Sequence, residues 1–147
     1  MLNKFKKQMK NEKGLTLIEL LAVIVILAII AAIAVPAIGN IITNSKVNAL
    51  KADGQNVLAA GNLYFIENSD KDTVTLEELD DDGFIEDAGG FEIDTNTTVD
   101  KADGGNTITG TAKSKGGSPT VEFIKATNAL ITAKDTEEGG TEVKVTR

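Results

Sequence analysis

Lys13-Gly14-Leu15-Thr16-Leu17-Ile18-Glu19-Leu20 leads into the longest apolar run of the chain. From Leu20 to Val35 every side chain is Leu, Ala, Val or Ile; Pro36 interrupts, Ala37 and Ile38 continue, and Gly39-Asn40 ends the run. With Leu15, Leu17 and Ile18 included, it is long enough for a helix of roughly 20 residues to cross a bilayer core. One carboxylate, Glu19, stands near its start. A charge at the centre of a membrane costs about 2.5–3.5 kcal/mol on insertion scales, so Glu19 needs either a place near the interface or a partner. The segment before the run is short and basic, with Lys4, Lys6, Lys7, Lys10 and Lys13 against Glu12. A basic flank is retained on the cytoplasmic side, which places the rest of the chain on the other side.

Several features coincide here. Gly14 precedes the apolar run, a carboxylate follows it in Glu19, and Pro36 breaks the run. Together these residues resemble the type IV pilin and pseudopilin family, whose members carry a cleavage and methylation signal of the form Gly-hydrophobe-Thr-Leu-(Ile/Val)-Glu. The resemblance covers Lys13 to Ile38; beyond that the chain is similar only in architecture. It implies that residues 1–14 are a leader, cut between Gly14 and Leu15 by a dedicated membrane aspartyl peptidase that then methylates the new amine on Leu15. Gly14 has no side chain, so the peptide can lie close against a protease site. Leu15 stands where the family most often has Phe. The resemblance also implies that Glu19 meets the Leu15 amine of a neighbouring subunit, which offsets the cost of a carboxylate in apolar surroundings. An ordinary signal anchor is the simpler alternative. So is a secretory signal cut after Ala32-Ile33-Ala34, which would discard Glu19.

The formal net charge is −7 over 147 residues. The first 14 residues carry +4, so −11 lies beyond Gly14. A body this acidic stays soluble and repels nucleic acid phosphates, so no direct nucleic-acid binding is expected; Lys113-Ser114-Lys115 is too small a basic patch to change this. There is no cysteine, so no disulfide staples the body; many pilins of diderm bacteria do close theirs with one. With no His and no Cys, thiol nucleophiles, imidazole bases and metal sites built on them are excluded. Ser45, Ser69, Ser114 and Ser118 have no base to activate them. No enzyme is expected.

Pro36 lacks an N–H and its ring clashes with the carbonyl of Ala32, so a kink or opening is expected there, with Gly39 loosening it further. Residues 15–40 thus read as the membrane or filament-core helix. From 41 to 66 the pattern becomes amphipathic. Leu50, Val57 and Tyr64 recur every heptad beside Val47, Gly54 and Gly61, and Leu58 and Phe65 widen the stripe; Asn48, Lys51, Asp53, Gln55, Asn56 and Asn62 face elsewhere. One long, curved helix is expected over Leu15–Ile66.

Residues 67–90 read as an acidic connecting loop with a short helix, opened by a capping box at Thr75-Leu76-Glu77-Glu78. The acid cluster Asp80, Asp81, Asp82, Glu86 and Asp87 reads as a solvated loop or, alternatively, as a calcium site of several oxygen ligands, without EF-hand spacing. Residues 91–147 are rich in Thr, Val, Ile and Gly. Strands are expected at Phe91–Ile93, Thr107–Ala112, Thr120–Lys125, Ala129–Ala133 and Glu142–Thr146, separated by glycine pairs. A meander of about four antiparallel strands would lay Val121, Phe123, Leu130, Ile131, Val143 and Val145 against the apolar helix face.

The fold expected is α+β: a long N-terminal helix on a small antiparallel sheet. The function that the resemblance implies is a filament subunit, foremost a major pilin, with many copies of itself, a prepilin peptidase, a membrane platform and an ATPase as partners. It would be a single-pass membrane protein before assembly and part of a surface filament after it. The alternatives are a pseudopilin of a type II secretion or competence DNA-uptake apparatus, or a lone membrane-anchored or secreted binding domain.

Overall fold

A computed structural model describes the backbone of residues 2–133, 137–138 and 141–147, and the side chains of 16–133 and 142–147. It resolves into two compact units, Met1–Ile42 and Thr43–Arg147. One helix, α1 (Leu2–Glu67), runs through the boundary between them and includes Pro36 without a break in helical structure. The helix begins before the expected start at Leu15 and ends one residue past the expected end at Ile66.

α1 holds a candidate membrane span, Thr16–Glu67, in which an 18-residue stretch of mean hydropathy 3.1 has none of its residues buried. Leu17, Ile24, Ile30 and Ile38 are all more than half exposed. A helix that is apolar all round cannot be covered by one layer of its own chain, and such helices belong in a membrane or a packed assembly.

The second unit holds the rest of α1, then β1 (Thr73–Thr75), α2 (Leu76–Asp81), β2 (Thr98–Asp100), β3 (Thr107–Lys113), β4 (Thr120–Ala126), α3 (Asn128–Thr132), β5 (Glu137–Glu138) and β6 (Thr141–Thr146). The strands form one antiparallel sheet of order β1-β2-β3-β4-β6-β5. The expected heptad stripe is the core face of α1: Val47, Leu50, Val57, Leu58, Tyr64 and Phe65 are buried. Alternate residues of β4, Val121 and Phe123, face it and are fully buried, as strand period dictates. Burying a side chain such as Phe123 stabilises by about 1.5–3 kcal/mol. Gly54 and Gly61 bring helix and sheet together: a Cβ on Gly54 would lie 2.6 Å from the Phe123 ring, and one on Gly61 2.6 Å from Val99. The fold is α+β and pilin-like.

The capping box is present. Thr75 Oγ1 accepts from the Glu78 N–H at 3.2 Å, and the Thr75 N–H donates to Glu78 Oε2 at 3.0 Å. Such a cap stabilises by about 0.5–2 kcal/mol, and it holds Leu76 and Leu79 in the core.

Two strand assignments need correction. Ala129–Ala133 is helical, within and just after α3, because Thr127 caps it by accepting from the Leu130 N–H. Leu130 is half-buried and Ile131 buried, as a helical turn allows. Phe91–Ile93 makes a single bridge, Phe91 to Ala112. Three strands were not expected: β1 and β2, of three residues each and paired with one another, and β5, of two residues, all too short to show alternation. The sheet is also no simple meander, since β4 pairs with β6 and β5 lies beyond it.

Candidate functional site

The residues singled out at the N-terminus all lie on α1. Gly14 and Leu15 fall on its backbone, and their side chains lie outside the described residues. Glu19 is exposed, one helical turn from Leu15, so the two positions share a face of the helix. Around it Leu17, Ile18, Leu20 and Leu21 are exposed as well. Among the described residues of the first unit, this is a single carboxylate set in an exposed apolar surface. Its chemistry is that of a selective contact: it has little to gain from lipid and much to gain from a cation presented in an apolar layer. Pro36 and Gly39 are both exposed, and a Cβ on Gly39 would meet nothing within 4 Å.

Residues 9–35 match a family model described as the prokaryotic N-terminal methylation motif. This is the signal of type IV pilins and pseudopilins. The methylation motif includes the basic flank from Met9, Gly14, Glu19 and the apolar run to Val35, and it stops before Pro36 and the whole of the second unit. No curated protein and no solved structure matches the chain.

The acid cluster lies in the second unit, outside the residues that match the methylation motif. Asp81, Asp82, Glu86 and Asp87 are exposed and Asp80 is half-buried. Asp87 Oδ1 accepts the Gly89 N–H at 2.8 Å. Among the described residues, no three His, Cys, Asp or Glu side chains converge as a metal site would need.

Several polar residues of α1 that the periodicity places off the apolar stripe tie the helix to the rest of the second unit. Asp53 Oδ2 accepts the Gly90 N–H at 2.9 Å. Lys51 Nζ donates to the Ala133 carbonyl at 3.1 Å. Gln55 bonds Asn128 at 2.7 Å, and Asn106 donates to Asn62 at 2.6 Å. Heptad periodicity assigns these positions to the flank of the stripe but is blind to which loops reach them.

Proposed function

We propose that the chain is a structural subunit, of major-pilin type, of a type IV pilus or related filament. The prepilin peptidase removes residues 1–14 at the cytoplasmic face and methylates Leu15. The subunit waits in the membrane on its apolar helix. A platform protein and an ATPase then drive it into a filament of its own copies, with the acidic sheet domain outward. Pro36 and Gly39 give the helix a point at which to bend or open during packing.

The observation that carries this reading is the methylation motif at residues 9–35 together with an apolar stretch of helix of which no residue is buried. A surface of that kind is stable in lipid, and equally against other copies of itself. Glu19 supplies register. In an apolar layer it is costly unless the methylated amine of a neighbouring Leu15 meets it, and that contact forms at one stagger only.

The test is Glu19→Val in cells lacking the native subunit. The change makes the segment more apolar, so insertion persists, and processing persists because it depends on Gly14. Surface filaments are expected to be lost or sparse, with the processed membrane pool retained. Normal filament numbers would remove the role of Glu19. A pseudopilin would show the same processing without long surface filaments from the wild-type chain.

A further inference from the structure

The tetrapeptide Lys-Ala-Asp-Gly occurs twice, as Lys51-Ala52-Asp53-Gly54 and as Lys101-Ala102-Asp103-Gly104. Up to the glycine the two copies share every local preference, so a difference between them comes from the fold. An Asp-Gly bond carries a chemistry of its own. The glycine nitrogen can attack the carboxyl carbon of the aspartate, because no Cβ on the glycine blocks the approach and its peptide turns readily. Attack needs a peptide plane that can rotate, an N–H that is not bonded elsewhere and a carboxyl group that is free to reach it.

The first copy is held at every one of these points. It lies inside α1, where each N–H bonds the carbonyl four residues before. Asp53 Oδ2 accepts the Gly90 N–H at 2.9 Å, which ties the carboxylate to another partner. Gly54 is buried against the Phe123 ring, 2.6 Å from where its Cβ would stand, so its peptide has no room to rotate. The chain has one further Asp-Gly pair, Asp82-Gly83. Asp82 is exposed at the end of α2, but the Gly83 N–H donates to the Asp80 carbonyl at 3.0 Å.

The second copy lacks all three restraints. Asp103 and Gly104 are exposed in the turn between β2 and β3. The Gly105 N–H closes that turn on the Ala102 carbonyl at 3.2 Å, and the Ala102 N–H donates to Asn106 Oδ1 at 3.2 Å. These contacts bracket the tip and leave its central peptide out. Among the described residues the Gly104 N–H has no acceptor, and the Asp103 carboxylate has neither a hydrogen bond nor an ion pair. A Cβ on Gly104 or Gly105 would meet nothing within 4 Å, so the peptide has space to turn.

We propose that Asp103 is a site of spontaneous backbone isomerisation. The Gly104 nitrogen bonds to Asp103 Cγ, and one carboxyl oxygen leaves as water with the amide proton and the carboxyl proton. The succinimide ring so formed then takes up water. Opening at the main-chain carbonyl leaves isoaspartate, with the chain running through the former side chain; opening at Cγ restores aspartate. The water lost is regained, so the mass does not change.

The test ages the full chain in phosphocholine micelles for weeks at neutral pH and body temperature. Tryptic peptides are then read by electron-transfer fragmentation, which separates isoaspartate from aspartate. Trypsin releases residues 102–113 with Asp103 as their only acidic residue, and deamidation of Asn106 is told apart by its gain in mass. Isoaspartate at position 103 is expected to exceed that at 53 and at 82 several-fold. A parallel sample aged in denaturant is expected to bring position 53 level with 103, because the local sequence is the same and the fold no longer protects it. Asp103→Glu, whose longer side chain would have to close a larger ring, is expected to abolish the isomer in residues 102–113. No isoaspartate at 103, as much or more at 53 or 82 in the folded protein, or an excess at 103 over 53 that persists in denaturant would each overturn the proposal.

Discussion

Asp94 shows how much one side chain arranges locally. The Asn96 side-chain amide, hydrogen-bonded to its carboxylate, holds it below its ordinary pKa of 3.8; burial works against this, and the backbone N–H groups of Asn96 and Thr97 and the Lys113 ammonium add to it. A carboxyl depressed on folding contributes stability that is present above its unfolded pKa and lost as pH falls through the folded one. The contribution of Asp94 is therefore intact above pH 3.8 and fades below it. The melting temperature of wild type is expected to exceed that of Asp94→Asn above this pH, with the gap closing on further acidification; a constant gap would show that the charge is not what matters. Asp53 is the second such residue. It reaches from α1 to the Gly90 N–H, and Gly89, at φ +62°, sits so close that a Cβ would collide with the Asp53 carboxylate. The partner of this glycine pair on the helix is not legible in the sequence, because 37 residues separate Asp53 from Gly90.

At the scale of elements, the seam between α1 and the sheet rests on two glycines. Replacing glycine by alanine in a helix ordinarily stabilises by about 1 kcal/mol. At Gly61 the new methyl would meet the buried, stiff side chain of Val99 at 2.6 Å. Overpacking costs typically about 1–3 kcal/mol, so Gly61→Ala is expected to lower the melting temperature of the second unit. Gly39→Ala, with open space around it, is expected to leave that transition unmoved. Equal melting temperatures for the two variants would show that the helix and sheet can move apart at no cost. The helix itself was legible from its heptad stripe, and α2 from its capping box. The assignment of Ala129–Ala133 as a strand failed because Ala-Leu-Ile-Thr suits either structure at that length; the deciding group is the Thr127 hydroxyl on the Leu130 N–H.

At the scale of the whole molecule, the described residues of the first unit present exposed apolar side chains, and the second unit has a core of its own. The mature chain is expected to begin at Leu15 with an N-methyl group, as N-terminal sequencing and mass spectrometry of the surface form would read. Gly14→Val is expected to leave the basic leader attached, since a branched side chain would stand where the peptide must lie close to the peptidase. A start at Val35 instead would return the run to an ordinary secretory signal. The sequence by itself determined the methylation motif, the apolar helix and the amphipathic stripe, because each is written in near neighbours whose spacing alone creates a charge in an apolar run or one face of a helix. The tertiary structure alone decided the order of strands, the pairing of β1 with β2 and the clasp of Asp53 on Gly90. Each of these needs two segments far apart in the chain to meet, and which segments meet is set by how the whole core packs.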